Sequence, residues 1–217
     1  MEVGPSGAFA PEVLAKLERK KVRRELRHPS ALSLETLLPQ VEQWMGDWIP
    51  GINIRAESSE DANRASVRFR HKGIKSEWKR PANVGFGASY SLPIVLTGLL
   101  APRGSIIIVD TPEAHLHPAG QAAMAKFLSQ VSASGVQVII ETHSDHIING
   151  IRICAADKSH PLEPHDVVIN SLAQAPEAVK IEKIEINEYG SLNKWPKGFL
   201  DQTEMDLAAI SRIARGL

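Results

Sequence analysis

Two short apolar runs decide most of what this chain can become. Ser105 to Val109 runs into Asp110-Thr111-Pro112-Glu113, and Val136 to Ile140 runs into Glu141-Thr142-His143-Ser144-Asp145-His146. Each run is shorter than a stable helix needs and is bounded by polar residues or breakers, so each reads as a core strand. Between them Ala119 to Ser132 has a helical pattern, and Gly135 follows it as a stop. Strand, helix and strand in that order call for a parallel pair, because a crossover is needed to bring the second strand back in the same direction. Neighbouring parallel strands end at one edge, where open α/β sheets take their ligands. The acids and histidines that follow the two runs are therefore expected to face a common cleft.

Composition narrows the setting. At 217 residues the chain can bury one full core with a small appendage. Lys and Arg number 25, as do Asp and Glu, so overall charge points to neither a nucleic acid nor a membrane, and local clusters must speak instead. The single cysteine, Cys154, has no disulfide partner and lies among Ile147, Ile148, Ile151 and Ile153, which fits a buried thiol in a reducing compartment. No apolar run approaches the roughly 18 residues that cross a bilayer, and the N-terminus lacks a signal-peptide core. The expectation is a cytoplasmic chain without a membrane partner.

Residues 1–10 read as loop and Pro11 to Arg27 as a basic helix with a solvated face. A second helix is expected from Ser33, with Leu34, Leu37, Leu38, Val41, Trp44 and Met45 at helical spacing, ending before Pro50-Gly51. Ile52 to Ala56 and Ala65 to Phe69 alternate as antiparallel strands. Arg68, Arg70, His71, Lys72, Lys75, Lys79 and Arg80 crowd the second of these, a cluster that suits either phosphate or an exposed strand edge. After a helix over 144–155, further strands are expected at Asp166 to Ser171 and Ala178 to Ile186, with a turn at Glu188 to Ser191. Thr203 to Leu217 reads as an amphipathic helix with Leu207, Ile210 and Ile213 inward, and Trp195 and Phe199 as residues that dock this segment.

Taken alone, Asp110, Glu113, His115, His117, Glu141, His143, Asp145 and His146 permit two chemistries. One is phosphoryl transfer, with Asp110 holding Mg²⁺ through water, a second carboxylate orienting the attacking water, and a histidine sensing the γ-phosphate. The other is a metal-dependent hydrolase using His115, His117, His143, Asp145 and His146 around Zn²⁺ or Mn²⁺.

A glycine-rich turn before an apolar helix, Asn83-Val84-Gly85-Phe86-Gly87-Ala88-Ser89-Tyr90-Ser91-Leu92-Pro93-Ile94, favours the first, since backbone N–H groups at such a turn attract an anion. Gly-x-Ser before a helix, then Asp-x-Pro-Glu-x-His-Leu-His-Pro, then Thr-His-Ser, resembles the ABC-type ATPase heads of the RecF, SMC and OLD-nuclease kind. The fuller motifs, with Trp195 to Phe199 and Asp201-Gln202, resemble a bacterial branch of AAA-type ATPases that ends in a domain of unknown function. The fold implied is α/β: a P-loop NTPase-like, ABC-head partial parallel sheet with flanking helices, plus an N-terminal helical and antiparallel-strand region. The implied division is 1–82 for that region, 83–160 for the ATPase core and 161–217 for a C-terminal segment.

The resemblance also implies roles. Asp110 is the Walker B acid and water-mediated Mg²⁺ ligand, His143 the switch residue, and His117 with Pro118 the D-loop; Gly85, Gly87 and Ser89 are the signature turn, Gly87 and Ser89 contacting a neighbouring subunit's nucleotide. ATP and Mg²⁺ are the implied cofactors, and DNA work or anti-phage defence is the usual setting of the wider superfamily. Two departures qualify the likeness. The 217 residues contain no Gly-x-x-x-x-Gly-Lys-[Ser/Thr] and no Gly-Lys dipeptide, so the β- and γ-phosphates lack their usual cradle. Thr111 stands where related ATPases place a water-orienting glutamate, with Glu113 as the candidate substitute. The expectation is the C-terminal portion of an ATPase, active only when complemented by a Walker A-bearing half or second subunit in a homo- or heterodimer, nucleic acid being a further candidate partner. A non-catalytic half acting in trans is the remaining alternative.

Overall fold

The computed structural model describes residues 2–59, 64–73, 77–174, 179–196, 199 and 202–215. Near the N-terminus, α1 (Ala10–Leu17) and α2 (Leu37–Gly46) pack on an antiparallel hairpin of β1 (Ile52–Ser59) and β2 (Arg64–His71). Alternation along the hairpin buries Ile52, Ile54, Val67 and Phe69 on one face, which is what a half-covered sheet requires. Trp44 anchors this region to the rest. It is fully buried, its indole N–H donates to the Leu26 carbonyl at 3.0 Å, and its ring meets Phe127 edge-on at 5.1 Å.

The second layer follows the strand, helix, strand order. α3 (Phe86–Leu100) leads into β3 (Ile106–Asp110), α4 (Pro118–Ala133), β4 (Gln137–Glu141) and α5 (Asp145–Ala156). β3 and β4 pair in parallel from Ile106 opposite Gln137 to Asp110 opposite Glu141. Ile107 and Val109 are buried on the face that meets α3 and α4, whereas Ile106, Ile108 and Ile139 stay 60%, 75% and 47% exposed on the other. α4 and α5 approach closely because residue 150 is glycine: a Cβ there would lie 2.6 Å from the Ala125 Cβ. Cys154 is buried as expected, and burial pushes its thiol up from the ordinary value.

Three expectations are corrected. The basic helix ends at Leu17 rather than Arg27, because the backbone of Lys20 to Val22 pairs with Glu35 to Leu37: Val22 N–H donates to the Glu35 carbonyl at 2.8 Å, and Leu37 N–H to that of Lys20 at 2.9 Å. The same pairing holds Thr36 extended, so α2 starts at Leu37 and leaves Leu34 outside it and exposed. Finally, Leu207, Ile210 and Ile213 of α6 (Gln202–Ala214) are not turned inward. They are 61%, 61% and 76% exposed, since no element among the described residues packs extensively on α6. Between α5 and α6 lies an antiparallel pair, β5 (Val168–Gln174) and β6 (Val179–Glu185). Trp195 lies edge-on to Phe199 and beneath the Arg152 guanidinium of α5. Lys75, Ala178 and Asp201 lie outside the described residues.

Candidate functional site

The glycine turn is built against the loop that leaves β3. Gly85 is the N-cap of α3 with no side chain to occupy the free N–H groups, and a Cβ there would meet nothing within 4 Å. Gly87 is the opposite case. A Cβ at that position would sit 2.9 Å from the His115 carbonyl oxygen and 3.2 Å from Leu116 Cδ2, so any side chain would push the two loops apart. Ser89 lies inside the first turns of α3 and is not its cap; its hydroxyl is shielded from solvent and has no hydrogen-bond partner among the described residues. Pro93, four residues on, has no N–H to give to the Ser89 carbonyl.

At the end of β3, Asp110 is exposed directly beside Glu141 of β4. Directly paired residues on neighbouring strands point to the same face, so two carboxylates share the open side of this edge. Thr111 takes a left-handed φ of 51°, an outlier for a β-branched residue. Its hydroxyl donates to Asp110 Oδ1 at 2.6 Å, and its N–H to the Glu141 carbonyl at 2.9 Å. Tyr90 reaches from α3 to donate its phenol to the Asp110 carbonyl at 2.7 Å. Burial, aided by the carboxylates of Asp110 and Glu113, raises that phenol above its ordinary value of 10.0 and keeps it a donor. His115 also has a left-handed φ, 62°, and its ring lies 5.2 Å from that of Phe86 and 6.2 Å from that of Tyr90.

The loop after β4 is tied to the loop after β3 through Glu113. Its two carboxylate oxygens accept from the Thr142 hydroxyl at 2.7 Å and the His143 N–H at 2.9 Å. The Thr142 oxygen in turn accepts from Ser144 N–H, and Ser144 caps α5 by accepting from Ile147 N–H at 3.1 Å. Ser144 also donates to Gln121 at 2.5 Å, and Gln121 donates back to the Leu116 carbonyl at 2.9 Å. This closed circuit leaves the His143 side chain exposed at the same edge as Asp110. His117, with Pro118 behind it, caps α4 by accepting from Ala119 N–H at 3.4 Å.

Gly85, Gly87 and Ser89 at the start of α3, Asp110, Glu113 and His117 at the end of β3 and in the loop after it, and His143 in the loop after β4 thus form three groups; the start of α3 touches the β3 loop through Gly87, and the two strand-end loops meet through Glu113. The alternative metal set is not gathered in this way. His146 lies 3.7 Å from Asp145, yet no three His, Cys, Asp or Glu side chains among the described residues converge enough to hold a metal ion. An exposed acid pair suits instead a hard cation that takes its remaining ligands from water and a phosphate. Sequence reasoning missed Tyr90, Gln121 and Thr142. Tyr90 and Thr142 stand inside the motifs given above and Gln121 just beyond one, but only the fold brings each polar atom to a partner.

Comparison with known proteins shows what parts of the chain are similar to. Residues 55–148 match the AAA ATPase domain, and residues 162–210 match a family described as protein of unknown function, DUF3696. A little under half of the chain thus matches the AAA ATPase domain, and the unknown-function family follows it along the sequence. The chain is 24% identical over 98 residues to the energy-coupling factor transporter ATP-binding protein EcfA2 of Ureaplasma parvum, covering 45% of the chain and 23% of that protein. It is 39% identical over 86 residues to the Old nuclease of Escherichia phage P2, covering 32% of the chain and 15% of the nuclease. The chain therefore spans well under half the length of these curated relatives. Among solved structures, an SMC ATPase studied for ATP-driven dimerization aligns with a TM-score of 0.51 at 13% identity, over 80% of this chain and 90% of that one. An Smc head bound to the C-winged helix domain of ScpA also reaches 0.51, at 14% identity over 68% of this chain and 42% of that one. These likenesses show that the chain has the fold of those SMC head domains. No described helix is long and apolar enough to cross a membrane.

Proposed function

We propose that this chain contributes the signature, Walker B and switch elements of an ABC-like ATP site whose phosphate-gripping loop is supplied by another stretch of protein. One observation carries the reading. Asp110 and His143 follow adjacent parallel strands at one edge, while Ile106, Ile108 and Ile139 on the outer face of those strands are bare. Parallel strands are normally covered on both faces, so the lobe that supplies the missing loop has an apolar seat beside the acid.

In this reading residues 83–160 form the core of the head, residues 1–82 its helical and antiparallel region, and residues 161–217 an accessory segment. ATP with Mg²⁺ would bring the scissile phosphoanhydride. Asp110 would hold the cation through water with Glu141 beside it, and the His143 ring, placed by its own backbone bond to Glu113, would meet the terminal phosphate. The open N–H groups after Gly85 would contact a nucleotide held by a second head, which calls for a dimer, and Ser89 would join them once its shielded hydroxyl turns outward. Thr111 cannot take a proton from water at neutral pH, and both Glu113 oxygens already accept bonds from the switch loop. Turnover is therefore expected to be slow even in the complemented site.

The test is complementation. The chain alone should show no tight Mg²⁺-dependent binding of labelled ATP. Mixed with a Walker A-bearing lobe of the same family it should acquire ATPase activity, and Ser89→Arg or Asp110→Asn should abolish it. Tight ATP binding by the isolated monomer, or complemented activity indifferent to both substitutions, would overturn the proposal.

A further inference from the structure

The outward face of the β1–β2 hairpin takes no part in the site above, yet it gathers charge in an ordered way. Arg55 is paired in register with Arg68, and Asn53 with Arg70, so alternation sets the three arginines on the face opposite Ile54, Val67 and Phe69. Beyond β2 the chain returns along its edge, where Phe69 and Lys79 exchange backbone hydrogen bonds of 3.0 and 2.9 Å. That return brings Trp78 beneath the guanidinium groups of Arg70 and Arg55, 4.7 and 5.5 Å from its ring centroid. A shallow groove of about 460 Å³ follows, lined by Arg68, Trp78, Lys79 and Arg80 together with Glu77 and Asn83.

The charges divide into two sets. Arg68 and Arg55 both bond Glu57, and the hydrogen bond from Arg68 holds that carboxyl below its ordinary range, so the trio stays ionised. Arg70, Lys79 and Arg80 make no ion pair among the described residues. Among the described residues Arg55, Arg68, Arg70 and Arg80 stand here against Glu57 and Glu77, in a chain whose formal charge is zero. The excess is therefore local and not a by-product of basic composition. Lone surface lysines are ordinary, but an arginine laid on an indole has already lost much of its freedom, so it loses less on meeting an anion. Arg70 on β2 and Arg80 on the segment that returns beside it are spread along one face, which suits successive anionic groups better than one small ligand.

We propose that this face binds the sugar–phosphate backbone of a nucleic acid through Arg70 and Arg80, with Trp78 holding Arg70 in place. The proposal is independent of the ATP site, and its test contains no nucleotide. Fluorescence anisotropy of the full chain with a labelled duplex, and with a labelled single strand of equal length, reads the binding. Two phosphate contacts predict affinity that falls about 12-fold for the duplex, or about 7-fold for the single strand, between 50 and 200 mM salt. Which of the two is preferred identifies the form of nucleic acid, and either supports the surface. Arg70→Glu combined with Arg80→Glu should weaken binding at least roughly tenfold and flatten the salt dependence, with an unchanged melting curve because both side chains are exposed. Arg70→Lys should cost only a few-fold, and the exposed control pair Arg19→Glu with Lys20→Glu should leave binding as it was. Absence of binding to both probes, full binding by the double reversal, or equal loss in the control pair would overturn the proposal.

Discussion

Glu113 shows how one side chain can order two loops at once. Its carboxylate holds the His143 N–H and the Thr142 hydroxyl at once, so the loop after β4 is placed by a residue of the loop after β3. Replacing Glu113 with Ala removes the acceptor from both donors. The half-exposed site lets water replace part of the loss, and the expected cost is about 1 kcal/mol of unfolding free energy, read as a lower denaturant midpoint with unchanged slope. Glu113→Gln keeps one acceptor and should lose less, while the His143 amide resonance should move in both variants. An unshifted amide in Glu113→Ala would mean that the loop is held by something else. Asp110 and His143 could be recognised in the sequence because strand ends in a parallel pair fall at a known edge. The circuit from Glu113 through Thr142 and Ser144 to Gln121 could not, because its partners come from three separate elements whose approach no local pattern encodes.

Elements are joined in a similar way by the segment after α1. Arg23 donates to the Ala101 carbonyl at 3.0 Å, to the Ser134 carbonyl at 3.1 Å and to the Ser134 hydroxyl at 3.0 Å, stapling the ends of α3 and α4. Glu25 accepts from Arg23 at 3.1 Å and Arg103 at 2.8 Å, while Gln130 donates to its carbonyl at 2.7 Å. Arg23→Ala should cost about 2 kcal/mol, since it frees carbonyls that a charged donor had satisfied. Chemical denaturation that shows no loss would assign the staple to Gln130 alone. Glu25 makes the staple pH-dependent. The hydrogen bond from Arg103 lowers its carboxyl below the ordinary 4.5. With a depressed folded value, its contribution is present above 4.5 and is lost as pH falls through the folded value. The melting-temperature gap between the native chain and Glu25→Gln should accordingly close on acidification below that point, and a gap constant with pH would remove the ion pair from the account. None of this was legible in the run from Pro11 to Arg27. Lys, Arg, Leu and Glu suit a helix throughout, and only the tertiary pairing of Lys20 to Val22 with Glu35 to Leu37 ends it at Leu17. The strands and helices from residue 86 to 156 were legible, because there periodicity, caps and glycine stops agree. The exposure of α6 was not, since an apolar stripe states that a helix wants a cover and not whether one is present.

At the scale of the molecule the decisive feature is a parallel sheet with a single covered face. Unbroken isoleucine in β3 carries no period, so the sequence could not show that Ile107 is 8% exposed while Ile108, its neighbour, is 75% exposed. That asymmetry separates folding from assembly and makes the two independently testable. Ile108→Glu places a charge that water already reaches, and the isolated chain should unfold within about 0.5 kcal/mol of the native one. Ile107→Glu buries the same charge against α3 and α4 and should unfold the chain by more than about 4 kcal/mol. If a Walker A-bearing lobe seats on the outer face, Ile108→Glu forces it to bury an unpaired carboxylate. An association penalty of about 3 kcal/mol, or more than a hundredfold in Kd, should follow and take the complemented ATPase activity with it. Sedimentation of the mixture measures the first quantity and phosphate release the second. A stable Ile108→Glu chain that still associates and hydrolyses like the native one would show that the bare isoleucines are not the seat, even if the signature and switch residues act as proposed.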